Sequence, residues 1–241
     1  MQNPEPEQPK TVDESFTDFI YNFSTDERIQ RSRINFPLSS YSFERRDTIQ
    51  QAEWTFDPML SAKEVYTEIY SNNDSIEVEE DMNSTSAQVE WIDLWERSVK
   101  RYYFERINGK WKLEAIDHGA LATRDSSANK EDFYEFYRQF TNDSTFQSQR
   151  VADPLKYITA DPDNEFDILQ TTLEPGQWWA FKPDCPTDVL TNIVHNNAPS
   201  INESNHLTLS LKGFGNGFIN KLYFERDEGR WMLVQFEDVC D

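Results

Sequence analysis

The sequence has no apolar run near the ~18 residues that a membrane-spanning helix needs, and its mean hydropathy is −0.79. A helical span is excluded. Basic residues are scarce: 23 Lys plus Arg stand against 44 Asp plus Glu, a net charge of −21. Nucleic-acid binders need clustered cations to displace counterions, so that class is excluded too. The acidic excess is even, −11 over residues 1–120 and −10 over residues 121–241, which suits solubility rather than a dedicated cation site. There are only three histidines and two cysteines, with no HExxH, GxSxG, CxxC or Cys/His cluster. Zinc, serine-hydrolase and thioredoxin-type chemistry therefore have no support, and no metal or cofactor is expected.

Cys185 and Cys240 leave two readings open. In an oxidising compartment they would close a loop of about 56 residues, worth roughly 4 kcal/mol on chain-entropy grounds. In a reducing one both would be buried thiols.

What is abundant is aromatic side chain, 14% of residues in a chain that is 37% hydrophobic, enough for real cores. Residues 1–12 open with MQNPEPEQPK, which has three prolines, two glutamates and little to bury, and are expected to be a flexible tether. Beyond them the chain reads twice. A shift of 117 residues superposes nine identities in 25 positions, from Glu14, Phe16, Phe19 and Phe23 on Glu131, Phe133, Phe136 and Phe140 to Pro37 and Leu38 on Pro154 and Leu155. A shift of 120 superposes YYFERINGKWKL (102–113) on LYFERDEGRWML (222–233) with seven of twelve identical. Between them Trp54 matches Trp178, and TEIYSNN (67–73) matches TNIVHNN (191–197). Order kept across three blocks argues for two copies of one unit. The boundaries expected are 13–118 for the first unit, 119–129 for a linker and 130–241 for the second.

Each unit opens with an amphipathic helix, because Phe16, Phe19, Ile20 and Phe23, like Phe133, Phe136, Tyr137 and Phe140, follow the i, i+3, i+4, i+7 rule. Ser24 and Glu27 have capping-box spacing and predict a second short helix to about Arg33, with Thr141 in the matching place. Each unit closes with a hairpin: Asn108-Gly109 predicts a two-residue type I′ turn that pairs Ile107 with Lys110, Arg106 with Trp111 and Phe104 with Leu113. Strand-like runs precede it at 87–93 and 98–107, at 206–212 and 218–226, with an earlier pair around 38–57. Two helices followed by an antiparallel sheet make an α+β unit.

Two amino-terminal helices, an irregular insert and long strands ending in an F-E-R-x-x-G-x-W hairpin resemble the nuclear transport factor two-like (SnoaL-like) cone fold, in which a curved antiparallel sheet wraps helices around a conical pocket. The tandem form behind a Pro/Glu tether resembles uncharacterised exported lipoproteins of Gram-negative gut bacteria. The resemblance implies export, to the periplasm or an outer-membrane anchor, with a lipid attachment upstream of this sequence, and it favours the Cys185–Cys240 bridge. Some members of that superfold are isomerases or dehydratases with an Asp/His pair in the cone; many only bind.

Asp117-His118 ends the first unit, but neighbours on a strand face opposite ways, which argues against a catalytic pair. The GFGNG run at 213–217 reads as a hairpin turn, and Asp161, Asp163 and Glu165 lack the rest of a calcium loop. Trp54, Trp178, Trp179 and His195 are the candidates for contact with a ligand or between units. Trp178 and Trp179 are consecutive, so on a strand one must face outward and need a cover. The resulting expectation is a non-enzymatic envelope protein that binds a small molecule, a glycan or another envelope protein, or serves as a scaffold; the alternative is an isomerase- or hydrolase-type enzyme with its site in one cone.

Overall fold

A computed structural model describes residues 13–43, 45–71, 83–121, 130–161, 163–174, 176–196 and 201–239. Helices α1 (Phe16–Thr25) and α2 (Glu27–Ser32) precede β1 (Ile34–Ser42), β2 (Arg45–Ile49), β3 (Val65–Tyr70), β4 (Ser86–Asp93), β5 (Ser98–Ile107) and β6 (Lys110–Ala120). Then α3 (Phe133–Asn142), α4 (Ser144–Ser148), β7 (Val151–Asp161), β8 (Asn164–Leu173), α5 (Trp178–Phe181), β9 (Val189–His195), β10 (His206–Gly213), β11 (Ile219–Asp227) and β12 (Arg230–Asp238) follow. The protein is mixed α and β, with two six-stranded sheets and few helices.

Ser15 caps α1 and Asp132 caps α3 by accepting from the amide of the third following residue. The second short helices start later than the capping-box spacing predicts. Asp26 and Asp143, in extended conformation, each accept two amide hydrogen bonds, so these residues and not Ser24 or Thr141 are the N-caps. The aromatic stripes do what their spacing implies. Phe16, Phe19 and Phe23 surround the Phe104 ring at 5.4–5.5 Å, and Phe133, Phe136 and Phe140 surround Phe224 at 5.5–5.7 Å. Each opening helix thus packs on the sheet that carries its own half's closing hairpin.

The hairpin registers are those derived from the turn. Ile107 pairs with Lys110, Arg106 with Trp111 and Phe104 with Leu113, and Asn108 and Gly109 both take positive φ, as a type I′ turn demands. Glu228-Gly229 repeats this in the second hairpin. The Arg106 guanidinium lies 5.5 Å from the Trp111 ring, and Arg226 lies 4.3 Å from Trp231.

Two features differ from the expectation. The sheets are mixed rather than antiparallel: β1 runs parallel to β6 and β7 parallel to β12. Some seventy residues separate the members of each pair, so no hairpin dictates their direction. More consequentially, the orders are β2-β1-β6-β5-β4-β9 and β3-β10-β11-β12-β7-β8. Strand β3, from the first half, is the last strand of the second sheet, and β9, from the second half, is the last strand of the first. The two halves exchange one strand each.

Strands β3 and β9 meet at the centre of the molecule. The Thr67 amide donates to Thr191 Oγ1 (2.7 Å) and the Thr191 amide to Thr67 Oγ1 (2.8 Å), while each hydroxyl donates to the other's carbonyl at 2.6 and 2.8 Å. Each sheet's inner edge is thereby satisfied by the other's, a way of closing edges that would otherwise recruit foreign strands.

Candidate functional site

The inner face of the first sheet holds a polar cluster built on Lys100, Tyr102 and Asp57. Lys100 pairs with His118 and Tyr102 with Ile116, and residues two apart on a strand share a face. Trp91 and Val89 extend the same rows, opposite Lys100 and Tyr102 on β4. Asp57, from the irregular segment after β2, lies over them. Its Oδ2 accepts from Lys100 Nζ at 3.0 Å and from the Tyr102 hydroxyl, and its Oδ1 accepts from the Met59 amide at 3.0 Å. The Lys100 ammonium also stands 4.5 Å over the Tyr102 ring.

Gln30 of α2, fully buried, fixes this segment. Its amide group donates to the carbonyls of Phe23 and Asp57, and its carbonyl accepts from the Asp57 amide and the Trp54 indole. Trp54 is therefore a buried strut of the polar cluster rather than an open contact surface.

Burial alone would raise the Asp57 pKa, but the Tyr102 hydrogen bond and the Lys100 charge outweigh it, and the carboxyl is held below its usual range. Burial and the Asp57 charge push the Tyr102 phenol well above its ordinary value. Burial, then Lys100, lower the His118 pKa against the opposing pull of Asp117. At neutral pH Asp57 is therefore a carboxylate, Tyr102 a neutral phenol and His118 a neutral imidazole. Lys100 and His118, with Phe43, Trp91 and Val189, line a depression of about 300 Å³. The Trp91 indole nitrogen is buried without a hydrogen-bond partner.

The second sheet is different at the same register. Asn220 pairs with Asp238 and Leu222 with Phe236. Aromatic rings fill the space above: Tyr157 stacks on Phe236 at 5.4 Å, Trp178 meets Phe236 edge-on at 5.7 Å, and Phe181 lies 5.5 Å from Tyr157.

The residues singled out from sequence are not brought together. Trp54 and Trp178 lie in separate cores. Trp178 and Trp179 begin a one-turn helix rather than a strand, yet one is still buried and the other 41% exposed, with the Lys182 ammonium 5.0 Å from the Trp179 ring. His195, at the end of β9, packs against Phe16 of the other half at 5.5 Å. Asp117 points away from His118, toward Arg101, as strand alternation requires. Cys185 lies beside Tyr137 and has no disulfide partner among the described residues, and as a thiol it is pushed up to about 12 by burial; Cys240 lies outside the described residues. Gly213–Gly217 forms the β10–β11 turn, closed by a Gly213 amide to Phe218 carbonyl bond of 2.8 Å. Among the described residues no group of three or more His, Cys, Asp or Glu could hold a metal ion, and no helix is long and apolar enough to cross a membrane. Sequence reasoning missed Asp57, Lys100 and Tyr102. The alternation in KRYYFER put Lys100 and Tyr102 on one face, but nothing local announces that Asp57 folds over it.

This arrangement of helices on hairpin-closed sheets is that of an NTF2-like protein. A crystal structure of an NTF2-like protein from Bacteroides fragilis NCTC 9343, at 2.15 Å resolution, superposes with a TM-score of 0.87 and 44% sequence identity, over 97% of this chain and 100% of that one. The sequence profile described as "Domain of unknown function (DUF4348)" matches residues 1–238, and the chain belongs to that family. No curated protein matches it.

Proposed function

We propose that this is a non-enzymatic ligand-binding protein of the cell envelope, made of two cone-type units that arose by duplication and traded one strand each. The observation that carries the binding reading is the state of Asp57. Its carboxylate already accepts from an ammonium, a phenol and an amide, so it is a poor proton acceptor, and the second sheet has Leu222 where Tyr102 stands and a mutually hydrogen-bonded Asn220 and Asp238 where Lys100 and His118 stand. The duplication is supported by matched contacts. Glu14 takes a bidentate bond from Arg33 and accepts from the Trp111 amide, and Glu131 does the same with Arg150 and Trp231.

A thermal-shift screen of metabolites and glycans tests the binding reading, because a ligand at 100 times its Kd adds about 2.7 kcal/mol. Hits should be recovered chemically unchanged after prolonged incubation. Conversion of a hit, abolished in His118→Gln, would establish the second reading, an isomerase-type proton transfer by the neutral His118 in the depression it shares with Lys100.

Export is proposed from the sequence resemblance, and the Cys185–Cys240 bridge goes with it. Burial would slow labelling of the Cys185 thiol in the folded protein whatever its oxidation state, so alkylation must be read in denaturant without reductant. Neither cysteine of protein isolated from its native compartment should then be modified. Modification of both would remove the bridge and the argument for export built on it.

A further inference from the structure

The apolar stripe of α1 turns inward, which leaves Thr17, Asp18, Tyr21 and Asn22 on its other side. The β10–β11 turn of the opposite half lies along that side. The Phe214 amide donates to the Glu64 carbonyl at 2.9 Å. The Phe214 ring stacks on Tyr21 at 5.1 Å with 16° between planes, and stands 6.4 Å from Tyr66 at 70°. Gly215 has φ +74°, and a β-carbon there would come 3.2 Å from the Tyr21 ring, so glycine is what lets the turn descend onto the helix. The Asn216 side chain fills the space over Gly213 and accepts from the Phe218 amide at 3.0 Å. The turn is thus braced from within.

Between α1, β3, β9 and this turn lies a cleft of about 800 Å³. It shares no lining residue with the Lys100–His118 depression. Three rings, Tyr21, Tyr66 and Phe214, and two carboxylates, Asp18 and Glu68, line it, with no lysine, arginine or histidine among the lining residues. Glu68 is already bound by Lys212 Nζ at 2.8 Å. No ion pair holds the Asp18 carboxylate among the described residues. Ring faces carry negative potential, and a cation too weakly hydrated to prefer water gains by lying against them. A carboxylate beside the rings supplies the counter-charge, and a protein of net charge −21 concentrates cations around itself.

We propose that this cleft between the two halves binds an organic cation, a methylated ammonium group held against the Tyr21, Tyr66 and Phe214 rings with Asp18 as its counter-ion. A neutral ligand of the same shape would gain the apolar contact and forfeit the charge.

The test is isothermal titration of the full chain with tetramethylammonium and with choline, beside 3,3-dimethylbutan-1-ol, the uncharged isostere of choline. The expected result is saturable binding of at least one cation, at least about tenfold tighter than the alcohol, and about tenfold weaker in Phe214→Ala and in Asp18→Asn. Asp18 lies on the solvent side of α1, so its variant carries the test if loss of Phe214 disturbs the fold. Lys100→Met should bind as wild type does, which separates this cleft from the face described above. Equal affinity for choline and the alcohol, no saturation by either cation up to about 50 mM, or unchanged affinity in Asp18→Asn would each overturn the proposal.

Discussion

Glu14 and Glu131 show how one residue can fasten a helix to a distant hairpin. Each carboxylate receives the guanidinium of Arg33 or Arg150 and a tryptophan amide, while the indole of that tryptophan donates to the glutamate's own carbonyl. Charge-assisted bidentate bonds of this kind are geometrically demanding, which explains why glutamate, arginine and tryptophan recur at matched places in both halves. At His118 the relevant quantity is a proton. Its pKa is lowered in the folded protein from an ordinary value of 6.5. Between the lowered value and 6.5 the unfolded chain binds more protons than the folded one, so stability rises with pH across that window. Acidification through 6.5 should therefore reduce the denaturant midpoint, and His118→Gln should flatten that slope. Asp57, whose folded pKa is also lowered, contributes stability above the ordinary carboxylate pKa that is lost only at more acid pH. A variant slope equal to that of wild type between pH 7 and the folded pKa would show that His118 is not held neutral.

At the scale of elements, α1 and α3 place the same three rings around one phenylalanine of a closing hairpin. Phe19 and Phe136 are each at most 1% exposed. Truncation of either to alanine should cost about 3–5 kcal/mol, nearly equal for the two, as read by urea denaturation with an unchanged slope. A large inequality would mean that one half relaxes around the cavity and the other does not. Strands β3 and β9 depend on hydroxyls instead. Thr191→Val keeps the shape but leaves the Thr67 amide and carbonyl buried without their partner. The expected loss is about 1–3 kcal/mol, against less than about 0.5 kcal/mol for a substitution on the solvent face.

For the whole molecule the strand exchange is decisive. β3 pairs with β10 from Val65–Gly213 to Tyr70–Thr208, and β9 pairs with β4 from Val189–Asp93 to His195–Ala87. The protein cut once between residues 121 and 130 should still migrate as one particle in size-exclusion chromatography, and separate only when unfolded. Elution of two folded halves would mean that each can take back its own strand without penalty. The inter-half cleft depends on the same exchange, since β3 and β9 bring Tyr66, Glu68 and Ile193 to it from opposite halves.

Much of this was settled locally. The Asn108-Gly109 turn fixed the hairpin register, because only left-handed residues fit a two-residue type I′ turn, and the spacing of Phe16, Phe19 and Phe23 fixed which side of α1 is buried. The α+β character followed from these patterns, and the absence of a helical span from hydropathy. The short strands escaped because they are buried on both sides. β3 sends Ile69 to one core and Tyr66 to the other, so neither shows the alternation of a half-exposed strand. Asp57 escaped because its role comes from Gln30, 27 residues away in sequence, and from strands still further along the chain. The exchange itself could not be read at all. TEIY and TNIV are so alike that local preference cannot assign either strand to one sheet, and only the packing of the completed molecule, with Thr67 and Thr191 locked together at its centre, decides the partner of each.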